Sequence, residues 1–147
     1  MLSNKDFKMV YELIPRVCVD VVIHNKHGEF VLIKRNIEPD FGKWHLPGGS
    51  VFFGETLVQA AIRKAKEETN VDVSIYEVPF YREFIGDYQI KGYEHIIDFF
   101  TSGMYLKGKL KPDKNASDIK FFTKIPKDII PLHKEVLIGM GFAMVNK

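Results

Sequence analysis

From the diglycine Gly48-Gly49 to Val71, the stretch GGSVFFGETLVQAAIRKAKEETNV leaves the chain little choice of regular structure. Thr56 and Gln59 match a capping box, in which a hydroxyl and a side-chain amide satisfy free N–H groups at a helix start. At about 100° per residue, Val58, Ala61, Ile62, Ala65 and Thr69 fall on one stripe, which predicts a helix over about 56 to 69 laid against a core. Arg63, Lys64, Glu67 and Glu68 lie beside or opposite that stripe, on an accessible flank with small Ala60 nearby.

A helix with one apolar stripe needs a partner surface, and the flanking segments read as strands. RVCVDVVIH (16 to 24) and FVLIKR are rich in β-branched residues, and NKHGE between them predicts a hairpin. Pro39 and Gly42 mark a loop, WHL a brief strand, and PGG a turn. VDVSIYEV, FYREFI, HIIDFFTSGMYL and IKFF are further strands, with KGKLKPDKNASD a polar loop before the last. A short helix is expected over 3 to 13, capped by Ser3 or Asn4, with Phe7, Val10 and Leu13 on one side. PLHKEVLIGMGF closes the chain as a helix with Leu132, Val136, Leu137 and Met140 inward. Strands alternating with two or three helices predict a mixed sheet covered on both faces, in one domain spanning 1 to 147.

Charge excludes some partners. The net charge of +2 comes from 21 basic and 19 acidic residues without a long single-sign run, which argues against a nucleic-acid duplex or a membrane surface and leaves a small anionic ligand open. No apolar run approaches the roughly 20 residues of a membrane span. The single cysteine, Cys18, forms no internal disulfide, and a cytoplasmic location is expected.

Adjacent carboxylates Glu67 and Glu68 beside a glycine turn supply the hard oxygen ligands that Mg²⁺ or Mn²⁺ prefers. Taken alone, the hexapeptide RKAKEE reads first as a solvated helix face with pairs Arg63 to Glu67 and Lys64 to Glu68. The wider spacing decides between them. Gly49, Glu55, Arg63, Glu67, Glu68 and Val71 stand at the offsets of the Nudix box, G-x5-E-x7-R-E-U-x-E-E-x-G-U with U apolar, so residues 49 to 71 resemble that family. Pro47, Gly48 and Gly54 are similar to MutT-type members, and the strand order is similar over roughly 15 to 125.

The resemblance implies an α/β/α sandwich and metal-dependent hydrolysis of a nucleoside diphosphate linked to another moiety, a nucleoside triphosphate or a nucleotide sugar. It also implies that Glu67 and Glu68 are metal carboxylates, that Gly48 lends a carbonyl, and that Arg63 and Glu55 brace the loop against the helix. A homodimer is compatible with it. Two box positions depart. Asn70 replaces the late glycine, which is mild because asparagine tolerates the left-handed conformation that ends helices. Lys64 replaces the first glutamate of R-E-U-x-E-E, changing the local charge by two. The site should then hold fewer cations or hold them less tightly, or Lys64 contacts a substrate phosphate itself; a surface lysine paired with Glu68 is the plain alternative. The change also makes a non-catalytic nucleotide-binding module with a regulatory role the rival reading.

With that glutamate gone, Glu94, His95 and Asp118 are candidates for a base outside the box. Asp20 interrupts an apolar strand whose alternation puts Cys18, Asp20, Val22 and His24 on one face, so it borders a cavity or pairs inside the sheet. With Arg35 and Trp44 it resembles positions of the GDP-mannose mannosyl hydrolase branch, where Arg35 would bind phosphate and Trp44 would pack on a base or sugar. Asp20 and Arg35 as a structural ion pair, and Trp44 as a core aromatic, are the competing readings. Ser50 stands where that branch has an arginine, and Ala116 falls near its histidine, which puts the branch's chemistry at the sugar carbon in doubt.

Overall fold

The computed structural model describes residues 2 to 86 and 92 to 146. Helix α1 (Asn4–Tyr11) precedes strands β1 (Arg16–His24), β2 (Phe30–Arg35), β3 (Trp44–His45) and β4 (Gly48–Ser50). Helix α2 (Leu57–Thr69) follows, then β5 (Asp72–Ser74), β6 (Phe80–Ile85), β7 (His95–Lys107), β8 (Ala116–Phe122) and α3 (Pro131–Gly139).

β1 is the axis of a mixed sheet. It runs parallel to β7 from Arg16 opposite Ile96 to His24 opposite Met104, and antiparallel to β4 from Cys18 opposite Ser50 to Asp20 opposite Gly48. The hairpin to β2 closes at His24 opposite Phe30, where Asn25 Oδ1 accepts the N–H groups of His27 and Glu29 and Gly28 takes φ 73°. Beyond that turn β2 leaves β1 and pairs with β3 and β8, while β5 and β6 pair with β7.

β1 is buried on both faces from Cys18 to Ile23, because each face carries its own core. Val19, Val21 and Ile23 meet Ala60, Ala61 and Ala65 of α2. Val22 and Phe100 meet Val136 and Leu137 of α3, with Phe30, Leu32 and Leu46 filling the same layer. The result is the α/β/α sandwich. No helix among the described residues is long and apolar enough to cross a membrane.

Several local expectations change. PGG is not a turn: Gly48–Ser50 is a strand on β1. Gly48 is needed there because a Cβ would stand 1.7 Å from Asp20 Oδ1. β8 begins at Ala116, inside the segment read as polar loop, since Ala116 pairs with Arg35. Leu13 lies past the end of α1 and is 80% exposed, and α1 buries no residue fully. The α2 capping box forms, but the buried face is turned toward Ala60, leaving Ile62 41% exposed. The turn has a consequence for chemistry: Lys64 and Glu68, one and two turns beyond Ala60, sit at the buried edge instead of on the open flank.

Candidate functional site

A cavity of about 640 Å³ gathers β1, β4, the inner edge of α2, β7 and the start of α3. Its box wall is built from α2. Arg63 holds Glu55 through two bonds, Nη2 to Oε1 at 2.6 Å and Nε to Oε2 at 3.0 Å, and gives a further Nη2 bond to the Ser50 carbonyl at 2.8 Å. Phe52 covers its guanidinium at 3.8 Å, and Glu55 Oε1 also accepts the Phe52 N–H. The loop between β4 and α2 is thus tied to the helix by one cation.

That tie sets a stability prediction. Arg63→Ala leaves Glu55 partly buried and unpaired, which should cost about 2–3 kcal/mol after allowing for partial exposure. A chain of this length should then melt roughly 5–10 °C lower. Arg63 pulls the Glu55 pKa below its ordinary 4.5. The pair therefore stabilises fully above that value and its contribution fades as pH falls through the depressed one. Thermal melts across this acid range should show the two proteins converging; equal melting temperatures at neutral pH would mean that the residues do not act as a pair.

Lys64 lies between the two carboxylates, with Nζ 2.9 Å from Glu68 and 3.3 Å from Glu67. Its side chain is 17% exposed and that of Glu68 16%, against 48% for Glu67. Burial alone would lower the Lys64 pKa, but Glu68 and Glu67 outweigh it and raise it, so the ammonium stays charged. For Glu68 burial raises the pKa against Lys64 and a 3.0 Å bond from the Gly48 N–H. Gly49 makes room for the lysine, since a Cβ there would stand 2.8 Å from Lys64 Cε. Both helix pairs expected from the sequence form, yet Lys64 is no solvated surface lysine.

The opposite wall was only half foreseen. Asp20 borders the cavity, but its partner is not Arg35. His133 Nε2 lies 2.9 Å from Asp20 Oδ2, and Asp98 of β7 completes a buried group whose ligand-type atoms lie within 4.8 Å of one another. Burial raises the Asp20 pKa to about 7 and that of Asp98 well above the carboxylate range, and it lowers His133 to about 4. Arg35 donates Nε to the Pro39 carbonyl at 2.6 Å, and its Nη2 is buried with no hydrogen-bond partner among the described residues. The structural ion pair is therefore absent, and Arg35 keeps a donor at the cavity.

Trp44 does not reach the cavity. It is 5% exposed in the α3-side core, edge-on to Phe122 at 4.8 Å and flanked by Lys34 and Lys120. Nor do the proposed external bases line it. His95 bonds Glu83 at the surface, Asp118 is exposed and accepts the Ile119 N–H, and Glu94 lies outside the lining. Cys18 does line it, but burial pushes its thiol up to about 12, which keeps it protonated and inert.

Arg16, Asp98 and His133 are among the cavity residues that sequence reading missed, as are His45 and Asp40. Arg16 donates Nε to Ser50 Oγ at 2.7 Å and lies against Phe7 and Tyr93, so β1 supplies an arginine beside Ser50. Asp98 had a signal: like Asp20, it is a lone acid in an apolar strand. His133 falls on the α3 stripe with Val136 and Leu137, a position that spacing marks as inward.

The chain is similar in sequence and in fold to known proteins. The ADP-ribose pyrophosphatase of Methanocaldococcus jannaschii is 33% identical over 127 residues, 83% of this chain and 70% of that protein. The low-salt glycan biosynthesis protein Agl8 of Haloferax volcanii is 39% identical over 74 residues, 50% of this chain but only 47% of that protein's length. Among solved structures, the MutT Nudix hydrolase of Burkholderia pseudomallei shares the fold with a TM-score of 0.73 at 22% identity, covering 85% of this chain and 97% of that one. A Nudix hydrolase of Nitrosomonas europaea matches with a TM-score of 0.68 at 26% identity, over 90% and 76% of the two chains. The NUDIX domain model matches residues 14–134, which include every box position along the cavity wall, and the chain belongs to that family.

Proposed function

We propose that this protein hydrolyses a phosphoanhydride bond in a nucleoside diphosphate linked to another moiety, a nucleoside triphosphate or a nucleotide sugar, with Mg²⁺ or Mn²⁺. The observation that carries the reading is the juxtaposition in one cavity of Glu67 and Glu68 with the cations Lys64, Arg16 and Arg35. Water adds to one phosphorus, the bridging oxygen leaves with the other phosphate, and the water's protons pass to solvent or product.

The donor set fits a divalent ion. Glu67 and Glu68 present hard carboxylate oxygens to the cavity, and the contact of both with the Lys64 ammonium marks their flank as a place for positive charge. Glu67 and Glu68 would hold the ion, with the Gly48 carbonyl as a further oxygen; when bound it neutralises phosphate charge and acidifies water. The protein's own share is positioning. Arg35 Nη2 is a buried donor ready for a phosphate oxygen, and Arg16 is held in orientation by Ser50, Phe7 and Tyr93. The relative named ADP-ribose pyrophosphatase supports a sugar-linked diphosphate.

The test is a panel of nucleoside triphosphates and nucleotide sugars incubated with Mg²⁺ or Mn²⁺ and scored for phosphate and nucleoside monophosphate. Metal-dependent release from at least one is expected. One observation favours a second reading, a non-catalytic nucleotide-binding module: Lys64 already neutralises part of the box charge. Nucleotide binding without turnover under either metal would select it. We also infer a cytoplasmic setting, in keeping with a single buried thiol.

A further inference from the structure

We propose that Asp20 and Asp98 form a divalent-cation site of their own, separate from the box, with His133 as the hydrogen-bond donor that orients Asp20. The proposal goes beyond the nucleotide reading and stands without it. The sheet brings the two acids together. β1 and β7 are parallel with Cys18 opposite Asp98 and Asp20 opposite Phe100, so both carboxylates point to the same face as diagonal neighbours. Each is 7% exposed. Two like charges this deep need an ion or a shared proton between them.

Two observations favour an ion. The first is Asp98 Oδ1, a buried oxygen with no hydrogen-bond partner among the described residues. A buried carboxylate oxygen at the cavity wall is costly to leave without a partner, and an ion entering from the cavity would fill its coordination. Lys64 is engaged with Glu67 and Glu68, Arg16 with Ser50 and Arg35 Nε with the Pro39 carbonyl, and no salt bridge joins any of the three to Asp98 among the described residues. The second is spacing. The ligand-type atoms of Asp20, Asp98 and His133 lie within 4.8 Å of one another, and an ion with bonds of about 2.0–2.6 Å bridges oxygens up to roughly 4–5 Å apart.

His133 is not a ligand despite lying in that group. The Leu46 N–H donates to His133 Nδ1 at 2.9 Å, so Nδ1 carries the lone pair and Nε2 the proton. Nε2–H then donates to Asp20 Oδ2 at 2.9 Å. Turning Nε2 toward a metal would set Nδ1–H against the Leu46 N–H. The imidazole instead fixes one Asp20 oxygen and leaves Oδ1, the atom beside Gly48, to face the cation. Two carboxylates of hard oxygen suit Mn²⁺ or Mg²⁺, and the remaining positions open to the cavity for water or phosphate oxygens.

Mn²⁺ titrated into the full chain without nucleotide, followed by the paramagnetic resonance signal of the free ion, tests this. Asp98→Asn should weaken one binding event by about tenfold or more. The doubly substituted Glu67→Gln, Glu68→Gln protein, which keeps Asp20, Asp98 and His133, should still bind one Mn²⁺. Unchanged Mn²⁺ affinity in Asp98→Asn would mean that the two acids share a proton and no metal, and loss of all binding in the double variant would place every ion at the box. If Asp98→Asn does not fold, the double variant alone decides. None of these readouts depends on turnover, so they remain informative if no nucleotide is hydrolysed.

Discussion

Exchanging Lys64 for glutamate is expected to make the stability of this protein depend on divalent cations. The Lys64 ammonium lies 2.9 Å from Glu68 and 3.3 Å from Glu67, and both it and Glu68 are largely buried. Lys64→Glu removes that cation and puts three carboxylates on one flank of α2. A unit charge at 4 Å is worth about 4 kcal/mol at an effective dielectric constant of 20, so the repulsion is far larger than the few tenths seen for exposed helix pairs. With a chelator present the variant should melt several degrees below the parent, and Mn²⁺ should restore it because the ion binds the folded state alone. Affinity for Mn²⁺ should rise by about tenfold or more. A substrate contact by Lys64 would show as weaker binding of a non-hydrolysed nucleotide in the same protein. Identical melting temperatures with chelator and with Mn²⁺, and no change in either affinity, would leave Lys64 a bystander.

Glu68→Gln should lower turnover by roughly 10²-fold or more, the loss expected when several kcal/mol of charge stabilisation at phosphate disappear. The amide can still accept the Gly48 N–H that Glu68 now takes at 3.0 Å, so the β4 to α2 junction should survive; losing the charge pair with Lys64 should lower the melting temperature by a few degrees, and the larger effect should appear in kcat. Glu67→Gln should act in the same direction. Steady-state rates with Mg²⁺ on the best nucleotide of the panel check both, and full Mg²⁺-dependent turnover in the two variants would place the chemistry elsewhere.

The contrast between these two carboxylates was visible only in three dimensions. Periodicity drew an apolar stripe through Ile62, yet Ile62 is 41% exposed while Ala60 is fully buried. Ala61, Ala65 and Thr69 of that stripe are buried, and α2 rests on β4 as well as on β1 and β5. With Ala60 in place of Ile62 on the buried side, Lys64 and Glu68 stand at the cavity wall and not on an open flank. Trp44 went the other way: an aromatic just before a diglycine can serve a ligand or a core, and it lies inside, against Phe122 of a strand far along the chain.

What the sequence determined by itself was local or spaced along one helix. The Thr56 and Gln59 capping box, the end of α2 at left-handed Asn70, and the offsets from Gly49 through Arg63 to Glu68 depend on neighbours within a few turns, so they are written in the order of residues. The Glu55 and Arg63 brace is of the same kind. Tertiary structure alone decided the other wall, because its contacts join residues that no period relates. Asp20 of β1 meets Asp98 only because β1 and β7 run parallel in one register, and meets His133 only because α3 packs on that face. The Leu46 N–H that fixes the His133 tautomer lies 87 residues away from it. A lone acid in an apolar strand announces that it needs a partner; the partner's identity is set by which strands and helices the two cores bring together.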